Sequence, residues 1–184
     1  MAATTAPPVT TTLAAVPTTA PTATTTISPI DRAAAEVRAA SIASKDSNDV
    51  CFANPMNCDR AAFTRRFSPD LAAKELARLD EAVRNGVLSR PNADPNLSYV
   101  VIEGVVVAAS LDAAEVTTCH VNGGVQYTVS KVPGQTEVVV DDQVLGYSRR
   151  LGFKKIDGVW KIFTAVLFDR FDPLVLNMCP ARTS

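Results

Sequence analysis

The sequence lacks the features that mark several classes of protein. Its 18 basic and 19 acidic side chains nearly cancel, and no run of lysine or arginine is longer than two residues. Because nucleic-acid and anionic-membrane surfaces need concentrated basic charge, the sequence predicts no nucleic-acid partner. No window reaches the roughly 18 uncharged apolar residues that a membrane-spanning helix requires. The 47% hydrophobic content of the 184-residue chain therefore indicates a globular core.

Signatures of common catalytic and metal sites are also missing. The chain contains a single histidine, His120, and it has no phosphate loop and no serine or cysteine nucleophile motif. The aspartates at positions 141, 142, 169 and 172 lack the one-three-five ligand spacing of a calcium loop. We therefore predict neither a metal ion nor a cofactor.

Residues 1–29 differ in composition from the rest of the chain. They contain 11 threonines, 7 alanines and 5 prolines, and the first charged side chain is Asp31. Because large apolar side chains are scarce here and proline opposes regular structure, this stretch predicts a disordered tether in front of a single domain over 30–184. It has neither the basic start nor the apolar block of a signal peptide. Since Thr/Pro-rich stalks typically join an anchor or export signal to an outer domain, we expect such a segment upstream of Met1.

The four cysteines favour disulfides over a metal or redox site. Cys51 and Cys58 are spaced C-x6-C, which fits neither C-x-x-C redox sites nor the usual zinc knuckles. A zinc site with Cys119 and His120 fails, because consecutive strand side chains point to opposite faces. Four cysteines allow three pairings, and we favour Cys51–Cys58 with Cys119–Cys179. Four free thiols in a cytoplasmic protein remain the alternative.

Helical periodicity marks the first half of the domain. Asp31 is expected to cap a helix over 31–45, and Asp59 to cap a short second helix. Ser68, followed by proline, predicts the start of a third helix that ends at Gly86.

The hydrophobic period changes from about 3.6 residues to about 2 after residue 97. Strands are predicted over 98–110, 114–121, 125–132, 143–156 and 159–171. Asn122-Gly123-Gly124 predicts a reversal of the chain, and Asp157-Gly158 predicts a type I′ hairpin turn. Helices followed by antiparallel strands indicate an α+β fold.

This order of elements, closed by YSRRLGFKKIDGVWKIFTAVLF, resembles the nuclear transport factor 2-like (SnoaL-like) superfamily. The likeness rests on Arg149-Arg150, Asp157-Gly158, Trp160 and Ile162, and it covers residues 31 to about 171. It implies a cone-shaped, cystatin-like fold, in which N-terminal helices pack on a strongly bent antiparallel sheet and leave a pocket. The cysteines and PGQTEVVVDDQV also resemble uncharacterised exported actinobacterial members, which implies an envelope location.

Enzymes of that superfamily place a carboxylate, tyrosine or histidine in the pocket. Glu103 is the candidate carboxylate, because it is expected to share a strand face with Tyr99 and with apolar neighbours that would raise its pKa. Tyr99, Tyr127 and Tyr147 are the candidate hydroxyl partners. Glu103 is expected to be structural, satisfied by an arginine across the sheet, for which Arg149 is available, or by backbone donors, so we predict no catalytic role for it.

His120 could serve as a general base, since its ordinary pKa lies near neutrality. Its neighbour Cys119 is expected to face inward towards a disulfide. Because alternate strand residues face opposite sides, we predict that His120 faces outward and takes no part in catalysis.

Two functions from different classes remain open. The tether, the disulfides and the lack of a converging polar triad favour a non-catalytic, envelope-tethered domain that binds a ligand or a protein. The alternative is a small-molecule isomerase, dehydratase or cyclase that uses Glu103 with a tyrosine. The expected partner is an unidentified small molecule or an envelope protein, and a homodimer stays open. We expect an extracellular or envelope location, with a cytoplasmic one as the alternative.

Overall fold

The computed structural model describes residues 27–130, 133–176 and 178–180. Most of the tether predicted over residues 1–29 lies outside these ranges. The described chain consists of three α-helices followed by seven strands, which is the α+β order that the sequence predicts.

The helices carry the caps that their sequences offer, with one correction. Their bounds are Pro29–Ala53 (α1), Arg60–Thr64 (α2) and Pro69–Asn85 (α3), with short 3₁₀ turns at Pro55–Asn57 and Pro95–Leu97. Ser28, and not Asp31, caps α1: its hydroxyl accepts a hydrogen bond from the Asp31 backbone N–H, and Pro29 fits the first turn. Gly86 ends α3 in the left-handed conformation. No helix within the described ranges is long and apolar enough to span a membrane.

The strands form two antiparallel sheets. Their bounds are Val87–Arg90 (β1), Ser98–Val107 (β2), Ala113–Asn122 (β3), Val125–Val129 (β4), Glu137–Asp141 (β5), Leu145–Ile156 (β6) and Val159–Phe171 (β7). The first sheet has the order β2-β3-β6-β7, and the second has the order β1-β4-β5. Asp157 and Gly158 both have positive φ between β6 and β7, so the predicted tight hairpin is present.

The predicted reversal at Asn122-Gly123-Gly124 is wrong. β3 pairs with β2 and β6, whereas β4 pairs with β1 and β5, so the chain passes from one sheet into the other instead of folding back on itself. Glycine is needed here for space, because a Cβ on Gly123 would lie 2.5 Å from the Leu97 carbonyl oxygen. The Asn92 side-chain amide donates to the Gly123 carbonyl at 3.1 Å and holds the neighbouring loop in place.

The helices cover one half of the first sheet. The main core joins α1, α2 and α3 to the sheet through buried side chains, namely Ala33, Val37, Phe63, Phe67, Leu79, Val116, Leu151, Phe153, Trp160 and Ile162. Glu36 on α1 accepts hydrogen bonds from Trp160 Nε1 at 3.0 Å and from Lys155 Nζ at 2.7 Å. These bonds satisfy the indole N–H of a buried tryptophan and fix α1 to the β6–β7 hairpin.

Both predicted disulfides are present. Cys51–Cys58 closes the end of α1, and Cys119–Cys179 ties the C-terminal segment to β3. The second disulfide packs with Tyr99 and Val121 in a small cluster on the side of the first sheet away from the helices. β3 is therefore covered on both faces near Cys119.

The two disulfides should differ in their contribution to stability. They close sequence separations of 60 and 7 residues. Loop entropy predicts that replacing Cys119 and Cys179 together by alanine lowers the free energy of unfolding by about 4 kcal/mol, against about 2.5 kcal/mol for Cys51 and Cys58. Urea denaturation of the two double variants measures both losses. An equal loss, or the reverse order, would contradict the loop-entropy account.

The close contact between Gly123 and the Leu97 carbonyl can be tested by substitution, with a second glycine as the control. Gly123→Ala should lower the free energy of unfolding by about 1 to 3 kcal/mol, because the new methyl group meets a backbone oxygen that cannot move alone. Gly104→Ala on β2 is the control, since a Cβ there meets nothing within 4 Å. Thermal and urea unfolding should separate the two variants, and equal stabilities would rule out the steric explanation.

Candidate functional site

The helix-facing side of the first sheet changes from apolar to polar along β3 and β6. Three successive cross-strand pairs lie on this side: Val116 with Leu151, Thr118 with Arg149, and His120 with Tyr147. The first pair belongs to the main core. The other two pairs form a polar cluster, defined here as Thr118, His120, Tyr147 and Arg149. Register and strand alternation alone bring these four side chains together.

The His120 imidazole is held on three sides within the cluster. Its ring stacks on the Tyr147 ring with 4.7 Å between centroids. Its Nε2 atom lies 2.9 Å from Thr118 Oγ1 and 3.4 Å from an Arg149 guanidinium nitrogen. Because a guanidinium can only donate, Nε2 acts as the acceptor towards Arg149.

The surroundings of His120 keep its ring neutral. Burial, followed by the positive charges of Arg149 and of Lys45 on α1, lowers the pKa of His120 from 6.5 to about 3. The side chain is 6% exposed. His120 therefore carries no charge near neutral pH and is a weak base there.

Arg149 is the cation of this cluster and lacks an acidic partner. Its guanidinium lies 5.1 Å from the centre of the Tyr147 ring, within cation–π range. Its Nε atom is buried and has no hydrogen-bond partner among the described residues. None of the ion pairs found in the described part of the chain involves Arg149. The side chain is half-buried, so water compensates its charge only in part.

A cleft of about 950 Å³ lies beside the polar cluster. Its walls come from the β5–β6 connection, β6, the C-terminal half of β7 and the segment after β7, and their apolar members are Val144, Leu145, Ala165, Leu167, Phe171 and Leu174. Tyr147 and Arg149 line the cleft where it meets the cluster. Its other charged lining residues, Asp142, Arg170 and Asp172, are exposed. The cleft thus has apolar walls, one half-buried cation and a solvated rim of mixed charge.

Gly146 allows one wall of this cleft to form. A Cβ at this position would lie 2.1 Å from the Phe171 ring, so the ring rests directly on the β6 backbone. Any side chain larger than hydrogen would displace Phe171.

The predicted position of Glu103 is wrong. The register between β2 and β3 shifts between Ile102 and Gly104, so the alternation breaks at Glu103. Tyr99 therefore joins the disulfide cluster, whereas Val105 packs against the helical core. Glu103 is exposed at the bulge, and within the described residues no ion pair joins it to Arg149.

The remaining candidate residues divide between two places. Tyr127 lies on β4 in the second sheet, where the Arg90 guanidinium lies 5.9 Å from the centre of its ring. The sequence singles out five polar residues, namely Tyr99, Glu103, Tyr127, Tyr147 and Arg149. Of these, Tyr147 and Arg149 line the cleft. No three His, Cys, Asp or Glu side chains in the described ranges converge in a way that could hold a metal ion.

The predicted outward position of His120 is also wrong. Cys119 does point to its disulfide, but that disulfide lies on the side away from the helices. His120 consequently points to the helix side and is buried. One signal for this was present in the sequence. Val116, Thr118 and His120 are alternate residues of one strand and so share a face, and that face contains no Asp, Glu, Lys or Arg among them.

No family model matches this chain, and no curated protein matches it. Among solved structures, the intermembrane space region of the chloroplast protein ARC6 aligns with a TM-score of 0.55 and 13% identity, over 73% of this chain and 95% of that chain. A protein of unknown function with a cystatin-like fold from Methylobium petroleophilum PM1 aligns with a TM-score of 0.33 and 16% identity, over 80% of this chain and 97% of that chain. The second score is too low to carry an argument. The first likeness concerns the fold alone.

The low pKa of His120 makes stability depend on pH. The unfolded chain takes up a proton near pH 6.5 and the folded protein only near pH 3, so stability is full above pH 6.5 and falls as the pH drops through this window. Between about pH 7 and about pH 5, above the ordinary carboxylate range, the loss should be about 2 kcal/mol. His120→Gln keeps an acceptor and should flatten this slope in urea titrations. An NMR titration that gives His120 a pKa near 6.5, or equal slopes in both proteins, would contradict the buried neutral ring.

Proposed function

We propose that this chain is a non-catalytic, extracytoplasmic domain that binds a small amphipathic molecule in the cleft beside β6 and β7. The observation that carries the proposal is the cleft itself. Its volume of about 950 Å³ lies within the range of small-molecule sites, and its apolar walls are accompanied by Tyr147, Arg149 and an exposed polar rim. That combination binds an apolar body and orients one polar head.

The residues around the cleft favour binding over turnover. The alternative function, an isomerase, dehydratase or cyclase, was expected to use Glu103 with a tyrosine, but Glu103 is exposed at the β2 bulge and does not line the cleft. His120 lies next to the lining residues, yet its low pKa makes it a weak base at neutral pH. A binding role needs neither group to exchange a proton.

The extracytoplasmic part of the proposal is supported by the two disulfides. No cysteine among the described residues is free, because all of them form the two disulfides. Disulfides persist in oxidising compartments. Membership of the nuclear transport factor 2-like superfamily is part of the same proposal. It is supported by the helices-first order and by the closing β6–β7 hairpin around Trp160.

A neutral apolar dye tests the cleft without testing its charge. Nile red should bind the wild-type protein with a rise in fluorescence. Leu167→Gln removes apolar surface from the cleft wall and should weaken binding about five- to tenfold. Val166→Gln is the matched control, because Val166 is the exposed neighbour on the same strand and does not line the cleft.

Two outcomes would contradict this proposal. The first is a wild-type protein that does not bind the dye at all. The second is equal weakening by Leu167→Gln and Val166→Gln, which would locate the dye on the general apolar surface of β7.

A further inference from the structure

Building on the proposed binding function, we infer that the ligand of the cleft is an amphipathic monocarboxylate whose head group pairs with the Arg149 guanidinium. The inference rests on the missing partner of Arg149, on the groups that fix its position, and on the charge balance of the cleft.

Arg149 has donor capacity that the protein leaves unused. One guanidinium nitrogen lies 3.4 Å from His120 Nε2, and the buried Nε has no partner among the described residues. A half-buried guanidinium without an acidic neighbour is costly, since its charge is partly desolvated and unpaired. Arg60, Arg78, Arg90 and Arg150 each form an ion pair with an Asp or Glu. Of the described arginines that form none, Arg149 is the half-buried one that lines the cleft. A carboxylate in the cleft would pair with the part of the guanidinium that lines it and would supply the missing charge, although the buried Nε itself is closed to it.

His120 and Tyr147 hold the guanidinium in position. His120 Nε2 accepts from one end of the guanidinium, while the Tyr147 ring lies beneath it. Tyr147 in turn stacks on His120, so the three groups form one packed unit. Because His120 is neutral, it adds no second positive charge that would call for a second anion. A preorganised cation binds its ligand with less loss of side-chain entropy.

The charge balance of the cleft favours a monoanion. Four charged side chains line it, and Arg149 and Arg170 are offset by Asp142 and Asp172. The exposed rim carries Arg170 against Asp142 and Asp172, which is a net negative charge. A dianionic head such as a phosphate monoester would pair one charge with Arg149 and leave its second charge facing that rim. A carboxylate carries a single charge and matches the single half-buried guanidinium.

The apolar walls accept the rest of such a ligand. Leu145, Leu167 and Leu174 line the cleft and are 48%, 41% and 68% exposed. An alkyl chain that starts at Arg149 would cover these side chains and remove apolar surface from water. A medium-chain fatty acid is the simplest molecule that combines this head group with this body.

Calorimetry with a matched ligand pair tests the head group. Dodecanoate and methyl dodecanoate share one alkyl chain and differ in charge, and both are used below the micelle concentration of dodecanoate. We expect wild-type protein to bind dodecanoate at least tenfold more tightly than the ester. Dodecyl phosphate should bind more weakly than dodecanoate.

Variants of adjacent arginines assign the effect to one side chain. Arg149→Gln should bring the affinity for dodecanoate down to that for the ester, and Arg149→Lys should restore part of the difference. Arg150→Gln is the control, because Arg150 is exposed, faces the opposite side of the sheet and pairs with Glu115. Circular dichroism verifies the fold of each variant. If Arg149→Gln does not fold, the wild-type comparison of acid with ester decides the head group, and the NMR signals of the arginine side chains decide which arginine binds it.

The outcomes separate this inference from the proposed function. Equal affinity of wild type for acid and ester would overturn the carboxylate assignment and leave the apolar binding site intact. Preference for dodecyl phosphate would overturn the monoanion argument. If neither ligand binds and Nile red also fails, the proposed function itself is contradicted.

Discussion

The antiparallel register between β3 and β6 is the constraint on which the rest of the structure depends. It aligns Val116 with Leu151 under the helices. Four residues further along β3, on the same face, it aligns His120 with Tyr147. A shift by one residue would turn both sets to the opposite faces of the sheet. Burial of the apolar pair Val116 and Leu151 therefore also fixes the position of the polar cluster on the same two strands. The β6–β7 hairpin then adds the cleft wall, because Ala165 pairs with Leu151 and Leu167 pairs with Arg149.

Burial on the helix-facing side of β3 explains why the histidine of the polar cluster is neutral. The helices occupy one side, and the Cys119–Cys179 disulfide draws the C-terminal segment over the other. The His120 ring, buried on the helix side, loses hydration, and two nearby cations oppose its protonation. The neutral ring can then accept a hydrogen bond from Arg149.

Local rules read from the sequence predicted the elements that depend on neighbouring residues. The Asp157-Gly158 turn, the serine cap before α3 and its Gly86 end follow from backbone preferences of a few residues. Strict strand alternation failed at Glu103, where a bulge breaks the two-residue period. At His120 the alternation held, but the conclusion drawn from it was wrong. Alternation shows that Cys119 and His120 point to opposite faces, and it cannot show which face is buried when both are covered. The passage between sheets at Gly123 depends on a contact with Leu97, which no local pattern contains.

Arg149 is proposed as the head-group site of the cleft beside β6 and β7. NMR observation of the arginine side-chain N–H signals during titration with dodecanoate tests this claim directly. The account predicts that the Arg149 Nε–H signal shifts with saturation, together with the backbone signals of Tyr147 and Leu167, while the signals of β1, β4 and β5 stay in place. Saturable shifts confined to the second sheet, with Arg149 unchanged, would contradict it.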